Sequence, residues 1–266
     1  MPQIQNAMEV FKLLDKSNCR LCEEATCLAF AAAVFKGNRK ITECPHLEPE
    51  VAARYSDGVD QPRTMDQDAE EALRRMQGEI AKVDLAEAAE RLGGRHANGK
   101  LTLRILGKEF SVDSQGRFAT DIHVHGWIAG PVLAYILSGA GKAPSGNWVP
   151  LRELKGGKDW HRFFSQRCEK PMKAVADTYT DLFEDMVHLF NGQRVGQHFD
   201  ADIAVVLHPL PKLPLLVCYW KPDEGMPSDL NLFFDDTAAA NLAIEAIYTL
   251  GAGMALMFER IAQRHG

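Results

Sequence analysis

Four of the six cysteines of this chain stand in a short segment near its start, and their spacing constrains the fold more than any other feature. The spacing is C-x2-C-x4-C-x16-C followed directly by proline, and the residues are Cys19, Cys22, Cys27 and Cys44. Four thiolates are the ligands of either a tetrahedral zinc ion or an iron–sulfur cluster, because both prefer soft sulfur donors. The sequence therefore predicts a metal centre in this segment.

Three details of the spacing favour iron and sulfide over zinc. A cluster is wider than a single ion, so three ligands can come from one loop and the fourth from a distant segment. Proline directly after the last cysteine also occurs in bacterial ferredoxins. Zinc sites more often pair two short C-x2-4-C or H-x3-5-H segments, and the second such segment is missing here. Zinc ligation and unligated cysteines remain the alternatives.

The same segment resembles the small four-iron–four-sulfur domain of the corrinoid iron–sulfur protein large subunit. Besides the four cysteines, it shares Thr26 and the Ala-Phe-Ala run at residues 29–31. The resemblance implies a [4Fe–4S] cluster that transfers one electron in anaerobic metabolism. It also implies a redox partner protein, which would be a corrinoid protein or another low-potential protein. One departure is visible, because that family usually has glycine after the first and second cysteines, where this chain has Arg20 and Glu23.

Composition and charge narrow the classes of partner and the compartment. The formal net charge is −6 and no long basic run is present, which argues against nucleic acid or a membrane surface as partner. We find no apolar stretch long enough to span a bilayer and no export signal at the start of the chain. Because free thiols without an export signal indicate a reducing compartment, we expect a cytoplasmic protein. An oxygen-sensitive cluster further predicts an anaerobic host.

The order of predicted elements indicates an α+β fold with three parts. Residues 1–50 form a small helical cluster-binding domain, residues 51–64 a linker, and residues 65–266 a mixed α+β domain with an antiparallel sheet and a long C-terminal helix. In the first part, helices are predicted at residues 3–16 and 27–36, with Thr26 as the N-cap of the second. In the larger part, the pattern predicts helices at 64–78, 84–92, 127–137, 159–168, 171–190 and 237–263, and strands at 101–105, 110–112, 203–207, 215–220 and 230–234.

The larger region resembles a second family through the order of its motifs. These are G-K-E-F-S-V at residues 107–112, V-P-L-R-E-L-K-G-G at 149–157, P-L-L-V-C-Y-W at 214–220 and L-F-F-D at 232–235. The succession resembles domain-of-unknown-function family 3786, which often carries a cluster domain of the kind above at its N-terminus. The resemblance covers about residues 65–264 and implies a domain boundary but no established chemistry.

Two acidic pairs flank the predicted strand at residues 230–234. Asp223 and Glu224 precede it, and Asp235 and Asp236 follow it. We expect the pairs to converge at one end of the sheet, where, with Trp220 nearby, they would hold a cation or bind a cofactor or polar ligand. The alternative is that the first pair only forms a turn and the second only starts a helix.

His123 and His125 are a weaker candidate for a metal site. On a strand, residues two apart point to the same side, so both imidazoles could reach one ion. Because no third ligand is evident, a pair of surface histidines is the alternative. Cys168 and Cys218 are predicted to be buried apolar residues, since neither has an apparent base partner.

The sequence leaves three hypotheses about function. The preferred one is a [4Fe–4S] protein that transfers single electrons, with the C-terminal domain binding a partner or a cofactor related to corrinoids. The second is a reductase whose C-terminal pocket holds a small molecule reduced through the cluster. The third is a zinc-binding interaction protein without redox chemistry. The sequence does not decide whether the chain is an enzyme.

Overall fold

The computed structural model describes residues 4, 6–55, 65–196 and 198–265. The chain divides into two compact units, Met1–Asp68 and Ala69–Gly266. Helices and antiparallel sheets are both present, and the sheets lie in the second unit. The predicted α+β class is therefore confirmed.

The first unit is helical, and its core includes two of the four cysteines. Cys27 and Cys44 are buried together with apolar residues such as Phe30 and Ile41. Part of the predicted linker, residues 51–54, is helical, and its residues 56–64 lie outside the described ones. The helices are α1 (Ala7–Lys12), α2 (Cys27–Phe35) and α3 (Pro49–Arg54), with a 3-10 turn at Ile41–Glu43.

The helix predicted at residues 3–16 is shorter in the structure. It begins after Asn6, whose side chain accepts a hydrogen bond from the N–H of Glu9. It ends at Lys12, because the chain beyond it turns into the cysteine loop and Lys16 adopts a left-handed backbone with φ 62°. The predicted N-cap of α2 is confirmed, since the Thr26 side chain accepts from the N–H of Ala29 at 3.0 Å.

The first sheet of the second unit is an antiparallel meander in the order β1-β2-β3-β4. Its hairpin at residues 101–105 and 110–112 is as predicted. Asp84 caps α5 by accepting from two backbone N–H groups, and Gly93 ends it at φ 76°, so α5 lies within the helix predicted at residues 84–92. The elements are α4 (Met65–Ile80), α5 (Leu85–Leu92), β1 (Arg95–Ala97), β2 (Lys100–Ile105), β3 (Lys108–Asp113) and β4 (Phe118–Thr120). The predicted cap of α4, Thr64, lies outside the described residues.

The second sheet is antiparallel in the order β5-β9-β8-β7-β6. The two central strands are longer than the predicted strands at residues 203–207 and 215–220, because only residues 211 and 212 connect them. Pro209 lies within a strand, at a register shift between Leu207 and Leu210, an irregularity of the kind that accommodates a proline in a sheet. The strands are β5 (Trp148–Pro150), β6 (Gln193–Arg194), β7 (Ile203–Leu210), β8 (Leu213–Trp220) and β9 (Asp229–Asp235), and helix α6 (Gly126–Ser138) precedes them.

The helix break predicted in this region lies elsewhere in the structure. The break expected between residues 168 and 171 is absent, because a π turn at Ser165–Glu169 continues the helix past Pro171, which lacks an N–H. The chain breaks instead at Tyr179, with φ −135° and ψ 58°. The elements here are α7 (Gly157–Phe164), α8 (Lys170–Thr178) and α9 (Thr180–Leu189).

The predicted C-terminal helix at residues 237–263 is divided at Leu242, which is extended with φ −150° and ψ 137°. The cause is Asn241, whose side chain bonds the backbone of Lys142 and Lys212 instead of facing solvent. The two helices are α10 (Ala238–Asn241) and α11 (Ile244–His265). A Cβ on Gly253 of α11 would lie 1.5 Å from the ring of Trp127, so glycine allows the close packing of α11 against this ring.

Candidate metal centre

The cysteine loop follows a left-handed backbone at residues that are not glycine. Asn18, Arg20 and Glu23 have φ of 52°, 62° and 64°. Arg20 and Glu23 directly follow Cys19 and Cys22, the positions at which the resembled family has glycine. Since this conformation costs an L-residue about 1–2 kcal/mol, only an overriding constraint keeps it. The departure from the family pattern therefore changes the side chains but not the backbone conformation that glycine favours.

Cys27 lies at the junction of this loop and helix α2. It is the first helical residue, and its N–H donates to Oδ1 of Asn18 at 2.8 Å. In return, the N–H of Asn18 donates to Sγ of Cys27 at 3.3 Å. Both the helix N-terminus and an N–H donor favour an anionic sulfur. The loop and the helix thus fix the position of the Cys27 sulfur at the start of α2.

Cys44 reaches the same site from a distant segment. Burial raises the pKa of its thiol, while the N–H of His46, donating to the sulfur, lowers it. The negative charge of Asp15 raises the pKa of Cys44 further. The fold brings Cys44 into the hydrophobic core that also contains Cys27 and against which Cys22 packs.

The remaining two thiols are more accessible. Cys19 and Cys22 are partly exposed, and Cys22 packs against the hydrophobic core of the first unit. In the part of the chain that the structure describes, no three His, Cys, Asp or Glu side chains form a group that could hold a metal ion. The fit to a cluster therefore rests on the donor chemistry, which is four free thiols with backbone N–H groups directed at two of the sulfurs.

An aspartate adds negative charge beside the cysteines. Sγ of Cys27 lies 3.9 Å from Oδ1 of Asp15. Hydrogen bonds from the backbone and side chain of Ser17 lower the pKa of Asp15, so it is ionised at neutral pH. Sequence reasoning missed both Asp15 and Asn18. Their position just before the first cysteine was the only available signal.

The convergence predicted for the acidic pairs of the second unit is wrong. Trp220 pairs with Asp229 at the start of β9, whereas Asp235 pairs with Trp148 at its end. A strand of this length separates its ends by roughly 20 Å. Asp223 and Trp220 therefore lie at one end of β9, and Asp235 at the other.

Local contacts account for both acidic pairs. Asp235 is fully buried and accepts hydrogen bonds from Ser145, Gly146 and Thr237. Burial raises the pKa of Asp235, but these bonds lower it to below its ordinary value. Asp223 closes a turn with Met226 through two backbone hydrogen bonds, and Glu224 sits within that turn. The first pair thus forms the turn given above as the alternative, whereas Asp235 does not cap α10 and instead binds residues 145 and 146, far away in the sequence.

The two histidines do not lie on a strand, so that prediction is wrong. They precede α6, with His125 directly before its first residue. The rings of His123 and His125 meet edge to face at 4.1 Å, and His125 stacks on Trp127 at 5.1 Å. Burial lowers the pKa of His125, as do the nearby His123 and Arg260. Cys168 and Cys218 are both buried, as predicted.

The fold and the cysteine segment define an iron–sulfur domain followed by an α+β domain. A family model described as "Putative Fe-S cluster" matches residues 14–46, which include all four cysteines. A second model, "Domain of unknown function (DUF3786)", matches residues 84–257, more than half of the chain. The chain therefore belongs to the DUF3786 family, and both predicted resemblances are confirmed.

Curated relatives match over a short stretch. The gamma subunit of the acetyl-CoA decarbonylase/synthase complex of Methanocaldococcus jannaschii is 40% identical over 47 residues, 18% of this chain and 10% of that protein. The Methanothermobacter thermautotrophicus subunit is 44% identical over 41 residues, 15% of this chain and 9% of the relative. The gamma 2 subunit of Methanosarcina thermophila is 42% identical over 48 residues, which are 18% of this chain and 10% of that protein.

The chain thus matches about a tenth of the length of these relatives. No solved structure matches it significantly. Among the described residues, no helix combines the length and apolar character needed to cross a membrane.

Proposed function

We propose that this chain binds a [4Fe–4S] cluster through Cys19, Cys22, Cys27 and Cys44 and transfers single electrons. The observation that carries the proposal is that Cys27 and Cys44 are buried in one hydrophobic core, against which Cys22 packs, despite the 16 residues between Cys27 and Cys44. When bound, such a cluster supplies a centre that takes up and releases one electron.

The surrounding residues have separate tasks in this proposal. The N–H groups of Asn18 and His46 donate to two of the sulfurs and stabilise their anionic form. Asp15 opposes added negative charge and so disfavours the reduced state. The apolar residues beneath Cys27 and Cys44 exclude water from one side of the site, while the half-exposed Cys19 and Cys22 leave the other side accessible to a partner.

The second unit then binds the protein or cofactor with which electrons are exchanged. Support for a protein partner comes from the relatives, which are named as subunits of a complex. By the resemblance of the cysteine segment, a corrinoid or another low-potential protein is the partner we propose. A reductase with its pocket at Trp220, Asp223 and Asp235 receives no support, because these residues lie at opposite ends of β9.

The test is metal analysis of anaerobically purified protein. We expect about four irons and four acid-labile sulfides per chain for a [4Fe–4S] cluster, with a spin-resonance signal after reduction by dithionite. Cys22→Ala should lose that signal. Cys218→Ala is the matched control, because Cys218 is a buried thiol of the second unit and should not affect the cluster. Stoichiometric zinc without sulfide would overturn the proposal in favour of a zinc-binding interaction protein.

A further inference from the structure

We propose that Arg39 is a positioning residue for the proposed metal centre. Its side chain joins the segment that ends in Cys44 to the loop that carries Cys22. The inference rests on the proposed cluster. Its basis is a set of ion pairs between one arginine and two glutamates, each of which stands next to a proposed ligand cysteine.

The guanidinium of Arg39 uses different nitrogens for the two segments. Nη2 lies 2.9 Å from Oε2 of Glu23, the residue after Cys22. Nη1 lies 3.0 Å from Oε2 of Glu43, the residue before Cys44. A third carboxylate, that of Glu24, lies 3.9 Å from Nε. The planar fork of arginine can serve two carboxylates at once, which the single ammonium of lysine does less well.

Glu43 extends this connection to the backbone. Its other oxygen, Oε1, accepts the N–H of Lys40 at 2.9 Å and so fixes the 3-10 turn directly before Cys44. The orientation of this turn therefore depends on a carboxylate that Arg39 holds.

Arg39 also affects the charge near the site. Glu23, Glu24 and Glu43 place three negative charges next to the cysteine segment, and Arg39 faces all three. Without the arginine, adding an electron to the centre would be opposed more strongly, so the reduction potential should fall. Arg39 thus has two effects that can be measured separately, the positioning of the two cysteine segments and the reduction potential of the centre.

The experiment compares Arg39→Gln, Arg39→Lys and the control Arg74→Gln, all as full-length anaerobic protein. Arg74 also forms an i,i+4 ion pair, with Glu70 at 3.0 Å, but in an exposed helix of the second unit. Two readouts are measured, which are the rate of iron loss to a ferrous chelator and the midpoint potential of the cluster.

We expect Arg39→Gln to lose iron about fivefold faster than the wild type, and to have a lower potential. Arg39→Lys keeps the charge but not the fork, so its iron loss should also be faster while its potential stays near that of the wild type. Arg74→Gln should change neither. If the two Arg39 variants match Arg74→Gln in both readouts, the inference is wrong although the cluster is present.

A second variant covers the case in which Arg39→Gln does not accumulate. Glu43→Gln keeps an oxygen for the N–H of Lys40 but removes the charge that pairs with Arg39. It should lose iron faster than the wild type, and unchanged iron loss would contradict the inference. Wild-type protein without iron and sulfide would refute the proposed function itself, which distinguishes the two failures.

Discussion

The two units of this chain are stabilised in different ways. In the first unit, the hydrophobic core includes ten described buried residues, and two of them are the proposed ligands Cys27 and Cys44. In the second, a far larger core connects both sheets to α11 and contains none of the four proposed ligands. Small domains with little core usually need a metal or disulfides to fold. The comparison predicts that the first unit depends on the proposed metal centre and that the second does not.

Removing the metal centre should therefore have the largest effect of any change, and only in the first unit. Metal binding free energy is folding free energy where the unbound site is not stable by itself. We expect amide hydrogens of α2 to lose most of their exchange protection after chelation, while those of β8 keep theirs. Hydrogen exchange read by mass spectrometry measures both in one sample. Equal protection of α2 before and after chelation would contradict the expectation that the first unit needs a metal centre to fold.

A matched pair of core substitutions sharpens the same contrast. Phe30 and Phe258 are each about 1% exposed, one in each core. Truncating a buried phenylalanine to alanine costs about 3–5 kcal/mol. Phe258→Ala should lower the free energy of unfolding of the second unit by that amount and leave iron content unchanged. Phe30→Ala should abolish cluster binding and leave the denaturant transition of the second unit in place.

The opposite pairing of effects would contradict the independence of the two cores. If Phe258→Ala removed iron, or Phe30→Ala shifted the second transition, each core would depend on the other. Iron analysis and a denaturant titration on the same preparations provide the two readouts.

A smaller effect concerns the backbone of the cysteine loop. Arg20 adopts a left-handed conformation at φ 62°, whereas Glu90 is exposed within the regular helix α5. Arg20→Gly should stabilise the first unit by about 1 kcal/mol, because glycine adopts this conformation without steric cost. Glu90→Gly should destabilise the second unit by about 1 kcal/mol. Thermal unfolding of cluster-loaded protein measures whether each variant raises or lowers the unfolding temperature. Destabilisation by Arg20→Gly would show that the contacts of the Arg20 side chain contribute more than the backbone strain costs.

The features that could be predicted from the sequence are those that depend on residues close to one another in the chain. The cysteine spacing, the Thr26 cap and the hairpin at residues 101–112 depend on neighbouring residues, and sequence patterns describe neighbours well. The division of the C-terminal helix depends on Asn241 bonding Lys142 about a hundred residues earlier. Such distant contacts leave no periodicity in the sequence.

The misplaced acidic site has a related cause. The pairs at Asp223 and Asp235 looked like one site because both flank the same strand, yet flanking a strand means standing at its two ends. The ion pairs of Arg39 were missed for the opposite reason, since Glu23 and Glu43 are far apart in sequence and close in space. Burial and pairing, which decide these roles, are properties of the folded chain.

The smallest expected effect is a pH dependence confined to the second unit. Burial lowers the pKa of His208 in β7 below its unfolded value of about 6.5. Below that pH the unfolded state binds a proton that the folded state does not, so stability should fall as the pH drops from about 6.5 towards the folded pKa. His208→Gln should flatten this slope, while the control His96→Gln, at an exposed position of β1, should not. Denaturant titrations between about pH 7.5 and 5 measure the slopes. Equal slopes for both variants would mean that His208 is not the group whose burial makes the second unit sensitive to acid.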